Sequence, residues 1–183
     1  MNVRIISGRF GGRKISAPEG KTTHPMSERI RNALFNSLGD NVQDAVVLDA
    51  FAGTGSVGIE ALSRGAKSVV FIERDRVASK ILQENIELLD IADETKAVRA
   101  SVSAWVGNNE DAKFDLIFAD PPYHDVQRGT IRTVSKLLAP GGKMLISLPE
   151  KYDYTQLIEN GFVFENERIY GNAKIVSLVR EKA

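Results

Sequence analysis

A chain of 183 residues, 43% hydrophobic and 26% charged, has the composition of one ordinary globular domain and excludes both a disordered chain and a membrane-embedded one. Lys+Arg and Asp+Glu balance at 24 each, and the absence of cysteine with only two histidines, His24 and His124, excludes disulfides, thiol chemistry and a familiar zinc cluster. The opening MNVRIISGRF lacks the apolar run of a signal peptide and no later run is long enough to cross a bilayer, so a cytoplasmic protein without a metal is expected.

The charge is unevenly placed. Residues 1–31 carry Arg4, Arg9, Arg13, Lys14, Lys21, Arg29 and Arg31 against Glu19 and Glu28, a net +5 that leaves −5 for the rest. A basic segment gains free energy by displacing counterions from a polyanion, so the front of the chain is the part suited to phosphate. A solvated basic terminus is the plainer reading of the same charges. Over residues 3–15, short apolar stretches broken by Gly8, Gly11 and Gly12 predict a β-hairpin. In HPMSERIRNALFNSLG, Ser27 is placed to cap a helix with Ile30, Leu34 and Leu38 at helical spacing, and Gly39 is its stop.

Strand and helix patterns then alternate. Strands are expected at 46–50, 68–72, 96–100, 114–119 and 143–148, and helices at 55–64, 76–89, 126–138 and 154–160. Uninterrupted apolar runs such as VVLDA and DLIFA suit parallel strands covered on both faces. Two closing runs, 162–170 and 173–180, are joined by Gly171 and Asn172 and predict an antiparallel edge hairpin. The expected architecture is α/β, a single domain over 1–183 with residues 1–40 as an appendage on a core of 41–183. Phe35 and Trp105 are expected in that core rather than as platforms for a base.

Three segments carry chemistry. In LDAFAGTGSVGIEAL, Gly53, Gly55 and Gly58 follow a strand and open a helix, which lets backbone and helix N-terminus approach a nucleotide-like cofactor. The spacing also satisfies GxGxxG, so the segment alone leaves nicotinamide and S-adenosylmethionine both open. Glu73 ends the second core strand, where a carboxylate can accept two ribose hydroxyls; a surface acid before a helix is the alternative. Asp120, Pro121, Pro122 and Tyr123 end the fourth. Two prolines stiffen the backbone and remove two donors, leaving carbonyls and the Asp120 carboxylate as acceptors for an exocyclic amine, with Tyr123 to stack on its base. A rigid turn that merely ends a strand is the plainer reading.

In this order, DAFAGTG at 49–55, Glu73 and DPPY at 120–123 resemble the signature motifs of class I amino-methyltransferases. SGRFGGRKI at 7–15, HPMSERIRNALFNSL at 24–38 and the closing IYGNAKIVSLVR are similar to the RsmD family, the bacterial 16S ribosomal RNA guanine-N2 methyltransferases. The resemblance covers nearly the whole chain. It implies a Rossmann-like fold with a mostly parallel seven-stranded sheet, S-adenosylmethionine as methyl donor and S-adenosylhomocysteine as product. It further implies 16S ribosomal RNA as partner, naked or within the assembled small subunit, and a monomer. Carried over residue by residue, it puts Asp49, Phe51, Gly53 and Gly55 at the methionine end of the cofactor. Glu73 falls at its ribose, Ser101 near its adenine amino group, and Asp120 to Tyr123 between cofactor and guanine. Residues 24–31 would lie over the methionine part, and Arg4, Arg9, Arg13, Lys14, Arg29 and Arg31 would meet RNA. The chain departs from the family at His24, Pro25 and Met26, where Arg-Pro-Thr is usual, and at Ser101, where an acid is usual.

Three other readings compete. A DNA adenine-N6 methyltransferase would use the same acceptor cage but needs a target-recognition region for which the chain has no spare length. A nicotinamide-dependent oxidoreductase fits the glycines and leaves DPPY unexplained. A noncatalytic RNA-binding module needs only the basic hairpin.

Overall fold

Apolar strands must be covered on both faces, and the chain supplies two layers of helices to do it. The computed structural model describes residues 1–19 and 25–182. At the front, β1 (Asn2–Arg4) and β2 (Lys14–Ser16) pair antiparallel as a separate two-stranded sheet. The main sheet holds β3 (Val46–Asp49), β4 (Ser68–Glu73), β5 (Thr95–Arg99), β6 (Phe114–Ala119), β7 (Leu138–Pro149), β8 (Phe162–Tyr170) and β9 (Ala173–Arg180), in the order β5-β4-β3-β6-β7-β9-β8. The first five are parallel; β9 lies antiparallel between β7 and β8. A dinucleotide-binding sheet would run 3-2-1-4-5-6 without that inserted strand.

Five helices accompany it: α1 (Glu28–Leu38), α2 (Ser56–Ser63), α3 (Arg76–Leu89), α4 (Val102–Gly107) and α5 (Arg128–Ser135). Strand alternation sends successive side chains to opposite faces. Val47, Phe71, Phe118 and Leu145 pack with α1, α2, α3 and the front hairpin. Leu48, Ile72, Ile117 and Met144 pack with α4 and α5. Phe35 and Trp105 are both core residues, the first against Phe118 and the second against Phe114.

Most sequence boundaries hold within a residue or two. Ser27 caps α1 by accepting from the Ile30 N–H, and Gly39 ends it. Four expectations change. Residues 154–160 form a 3₁₀ turn at Tyr154–Leu157, started by Asp153, rather than a helix. The fifth helix ends at Ser135, and β7 begins at Leu138 because Leu138 pairs with Phe114. The register then shifts so that Leu116 meets Lys143, which absorbs Pro140 and Gly141 as a bulge. Finally, α4 was not expected, although Ser101 caps it and Val102, Trp105 and Val106 give it one buried face.

The appendage is fastened to the core by one buried ion cluster. Glu60, in the middle of α2, has no exposed side chain and accepts the Ile6 and Ser7 N–H groups at 2.9 and 3.1 Å. Arg64 Nε reaches it at 2.9 Å, and the fully buried Arg31 Nε lies 3.5 Å away. Arg31 also donates to the Met26 carbonyl at 3.1 Å and to the Arg4 carbonyl, tying the hairpin to the start of α1. The turn of the hairpin sits so close to the end of α2 that a Cβ on Gly8, where φ is +81°, would lie 1.8 Å from the Ser63 carbonyl oxygen. Removing one partner of a buried pair strands the other charge, so Glu60→Ala is expected to cost about 3–5 kcal/mol in urea unfolding. A loss below about 1 kcal/mol would show that the cluster does not hold the appendage.

Candidate active site

Parallel strands deliver their carboxyl ends to one edge, and here that edge collects three acids on one face. Asp49 closes β3 with its side chain on the α2 face, where Oδ2 accepts the Gly58 N–H at 2.9 Å. Glu73 closes β4 on the same face; Oε2 accepts the Gly53 N–H and Oε1 the Asp75 N–H, each at 2.7 Å. Asp120 follows β6. Since Asp49 is opposite Phe118 and the Ala50 N–H donates to the Phe118 carbonyl at 2.9 Å, Asp120 projects beside Asp49 from the neighbouring strand.

The glycine loop runs between these acids. Gly53 has φ +56° and open space where a Cβ would stand, so its backbone is left bare at this edge. Gly55 and Gly58 face inward instead: a Cβ on Gly55 would lie 2.5 Å from Leu82, and one on Gly58 would lie 2.3 Å from the Phe71 ring. Their small size lets α2 pack closely on β4 and α3. Gly55 starts α2 without a side-chain cap. Phe51 is half-buried and packs toward the opposite core.

Asp49 feels both of the other acids. Burial pushes the Asp49 carboxyl up to about 7, with Asp120 and Glu73 raising it further and the Gly58 N–H opposing. Burial likewise pushes Asp120 up to about 6, opposed by the Ser147 hydroxyl. Asp49 and Asp120 therefore resist ionising until a cation answers them. Asp120 continues into Pro121, which is buried, Pro122, and Tyr123, which keeps 38% of its surface exposed. Tyr123 Oη lies 2.8 Å from Ser147 Oγ on β7, and burial raises its phenol above the usual range. Glycine turn and acid-proline-proline-tyrosine corner therefore stand side by side at one sheet edge. The donor set fits a positively charged, nucleoside-like group and opposes a pyrophosphate, which these carboxylates would repel.

Comparison with known proteins is decisive. A model of the family described as conserved hypothetical protein 95 matches residues 3–179. The chain belongs to this family, the RsmD family. It is 37% identical over 124 residues to ribosomal RNA small subunit methyltransferase D of Haemophilus influenzae, covering 67% of this chain and 64% of the relative. It is 35% identical over 140 residues to the Escherichia coli protein of the same name, covering 76% and 68%. A solved Escherichia coli structure, yhhF, superposes with a TM-score of 0.87 at 27% identity over the whole of both chains. The chain is a methyltransferase, and its fold is the mostly parallel seven-stranded methyltransferase sheet with an antiparallel closing pair.

Within this family member the remaining candidate residues separate. Arg31 is no phosphate contact: it is fully buried, and its guanidinium is taken by Glu60, Met26 and Arg4. Spacing could not show this, because an arginine on the apolar stripe of α1 looks like any other basic residue of the segment. Arg9 and Arg13 flank the Phe10 ring at 4.6 and 5.7 Å, with Arg9 paired to Glu94 at 2.7 Å and Arg13 donating to the Leu88 carbonyl at 3.1 Å. Those partners lie past the C-terminal end of α3 or within its last turn, at the edge opposite the acids. An open cleft of about 450 Å³ beside Arg9, Ser63 and Arg64 lies at that far edge too and has no acid cluster. Arg4 is exposed and paired with Glu28 at 2.7 Å; Lys14, opposite it in register, and Arg29 are exposed.

Ser101 follows β5 and accepts the Ala104 N–H at 3.3 Å, so capping α4 accounts for its hydroxyl. His24 and Lys21 lie outside the described residues. Ser147 was missed, because a lone serine within the apolar run MLISL carries no motif. Among the described residues no three His, Asp or Glu side chains are grouped to hold a metal, and no helix is long and apolar enough to cross a membrane.

The raised carboxyls have a signed consequence. An acid whose folded pKa is raised contributes stability below its unfolded value, near 4, and loses it as pH rises through about 6 and about 7 for Asp120 and Asp49. Ligand-free protein is therefore expected to lose thermal stability from these groups between about pH 4 and pH 7. Asp49→Asn should melt at least about 3 °C higher than the parent at pH 7.5 without ligand. The same variant should lose the stabilisation that S-adenosylmethionine gives. Calorimetry showing the Asp49→Asn variant to be no more stable, and still stabilised by that ligand, would contradict the acid-cluster account.

Proposed function

We propose that this protein transfers a methyl group from S-adenosylmethionine to the exocyclic N2 amine of a guanine in 16S ribosomal RNA. One observation carries the reading: Asp49 and Glu73, bonded to the glycine turn, stand at the same sheet edge as the Asp120-Pro121-Pro122-Tyr123 corner. The family relatives bear the name of ribosomal RNA small subunit methyltransferases, which favours RNA over DNA as the acceptor.

S-adenosylmethionine supplies a methyl on a sulfonium, which departs as the neutral thioether S-adenosylhomocysteine. Asp49 and the Gly53 backbone would hold its methionine end and Glu73 its ribose; Ser101 stands where its adenine would be read. Asp120 and the Pro121 carbonyl accept the two N–H groups of the guanine amine. That draws the nitrogen lone pair out of the ring's conjugation and toward the methyl carbon. The stiff proline pair keeps both acceptors in place, so alignment supplies much of the acceleration. The nitrogen gains the carbon, and one of its protons passes to the Asp120 carboxylate, whose affinity for it burial has raised. Tyr123 covers one face of the base, turned out of its helix to reach the corner.

Arg4, Lys14 and Arg29 lie on the exposed side of the hairpin and the first turn of α1, where they would meet RNA phosphates. The catalytic unit acts as a monomer in the cytoplasm, on naked RNA or the small subunit.

The decisive experiment compares tritiated methyl transfer to small ribosomal subunits, naked 16S RNA and duplex DNA, followed by nucleoside analysis. N2-methylguanosine in the RNA is expected, and labelled DNA adenine would overturn the assignment. Asp120→Ala should lower transfer by at least about 100-fold and keep S-adenosylmethionine binding within a few-fold; full activity would remove Asp120 from the chemistry. Replacing Lys14 and Arg29 with Ala should weaken RNA binding and flatten its salt dependence by about one unit of slope per lost contact. Replacing Arg9 and Arg13 should do less. An equal or larger effect from Arg9 and Arg13 would place the RNA at the opposite edge.

A further inference from the structure

Tyr123 owes its place to a residue that no motif announces. Its side chain leaves the loop after the two prolines, retains 38% of its surface, and ends on Ser147 Oγ at 2.8 Å. Ser147 is 5% exposed, lies two residues before the end of β7, and is held from both sides, by β6 and by β9 opposite Ile175. Strand alternation puts it on the face that carries Leu145, the face on which Asp49 and Asp120 also stand. Ala119 is opposite Ile146 across β6 and β7, so the next residues, Asp120 and Ser147, are neighbours, and the Ser147 hydroxyl sits on a rigid strand beside both that acid and the Tyr123 phenol. An unanchored tyrosine at a loop tip would sample several rotamers, and a base stacked on it would share that freedom.

We infer that Ser147 is a positioning residue for methyl transfer, its hydroxyl fixing the Tyr123 ring as one wall of the base pocket and orienting the face of the neighbouring Asp120 acceptor. The inference rests on the proposed amine methylation at this corner. A hydroxyl with one proton and two lone pairs serves both neighbours: it pairs with Tyr123 Oη and remains close enough to Asp120 to favour the ionised acid. Ser147 touches neither the amine nor the methyl carbon in this scheme; it acts through Asp120, which holds the amine, and Tyr123, which covers the base. The assignment also explains why a polar side chain is tolerated in an otherwise apolar strand: its hydrogen-bonding capacity is used within the site.

The test uses the full chain with ribosomal RNA as acceptor. Ser147→Ala is expected to lower kcat about 3–10-fold and to raise KM for RNA, the size of effect that one lost hydrogen bond gives. The Kd for S-adenosylmethionine should stay within about twofold. Ser147→Thr keeps the hydroxyl on a residue that strands favour and should recover most of the rate. Tyr123→Phe removes the same bond from its other end, so the double variant Tyr123→Phe with Ser147→Ala should be less impaired than the product of the two single losses. Unchanged kinetics in Ser147→Ala would overturn the inference, as would equal loss in Ser147→Thr or fully multiplicative losses in the double variant. A parent enzyme that methylates no RNA guanine would instead sink the proposed function, a result separate from any behaviour of the variants.

Discussion

Two carboxylates buried at one edge of a sheet, with a third at the end of the next strand, organise the site. Asp49, Glu73 and Asp120 come from three adjacent strands, β4-β3-β6, so their spacing is set by backbone hydrogen bonding rather than by choice of rotamer. Burial keeps Asp49 and Asp120 reluctant to ionise, while backbone N–H groups of Gly58 and Gly53 commit Asp49 and Glu73 to the glycine loop. A cation entering this edge repays a cost already built into the fold. A pyrophosphate would add to it. The glycine spacing that matches a dinucleotide fingerprint is thus set among acids here, surroundings that suit a cation rather than a pyrophosphate.

The appendage obeys a second constraint. A hairpin with three-residue strands has too little area to stay folded alone, so it needs an anchor. Glu60 provides one by accepting two consecutive backbone N–H groups of the hairpin while Arg31 and Arg64 neutralise it. Because Glu60 belongs to α2, whose first residue follows the glycine loop, the front of the chain and the glycine turn are fixed to one rigid helix. Asn85 on α3 adds a second tie, donating to the Ser16 carbonyl at 2.9 Å and to the Thr54 carbonyl at 3.0 Å. Hairpin and loop thus share a partner at each end.

What was legible in the sequence was whatever has a period or a motif. The apolar runs located all seven core strands, and the order of glycine turn, Glu73 and DPPY put the three acids at strand ends. Short or bent pieces were not legible. Helix α4 has six residues, too few for a periodic signal, although its cap at Ser101 and the Val102, Trp105, Val106 spacing were present. The bulge at the start of β7 depends on pairing with Phe114, a contact 24 residues away. Two side chains misled or hid for the same reason: burial cannot be read from residue type. Arg31 counted as a phosphate contact and is enclosed; Ser147 carried no motif and is buried against Tyr123.

Sheet polarity also divides the basic residues. Helix α2 runs from the glycine turn at the acid edge to Ser63, about 12 Å along its axis at the usual rise per residue. Ser63 is the residue to which the hairpin turn is bonded, through its carbonyl to the Arg9 N–H at 2.9 Å and its hydroxyl to the Phe10 N–H at 3.0 Å. Arg9 and Arg13 are therefore held at the far end of that helix, whereas Glu28 and Arg29 begin the parallel helix α1 nearer the acids. On the proposed function, an RNA that met both ends would lie lengthwise along the hairpin and α1. A flat backbone footprint around the pocket mouth would leave Arg9 and Arg13 untouched, so the division of charge between the two edges bears directly on the path the RNA takes.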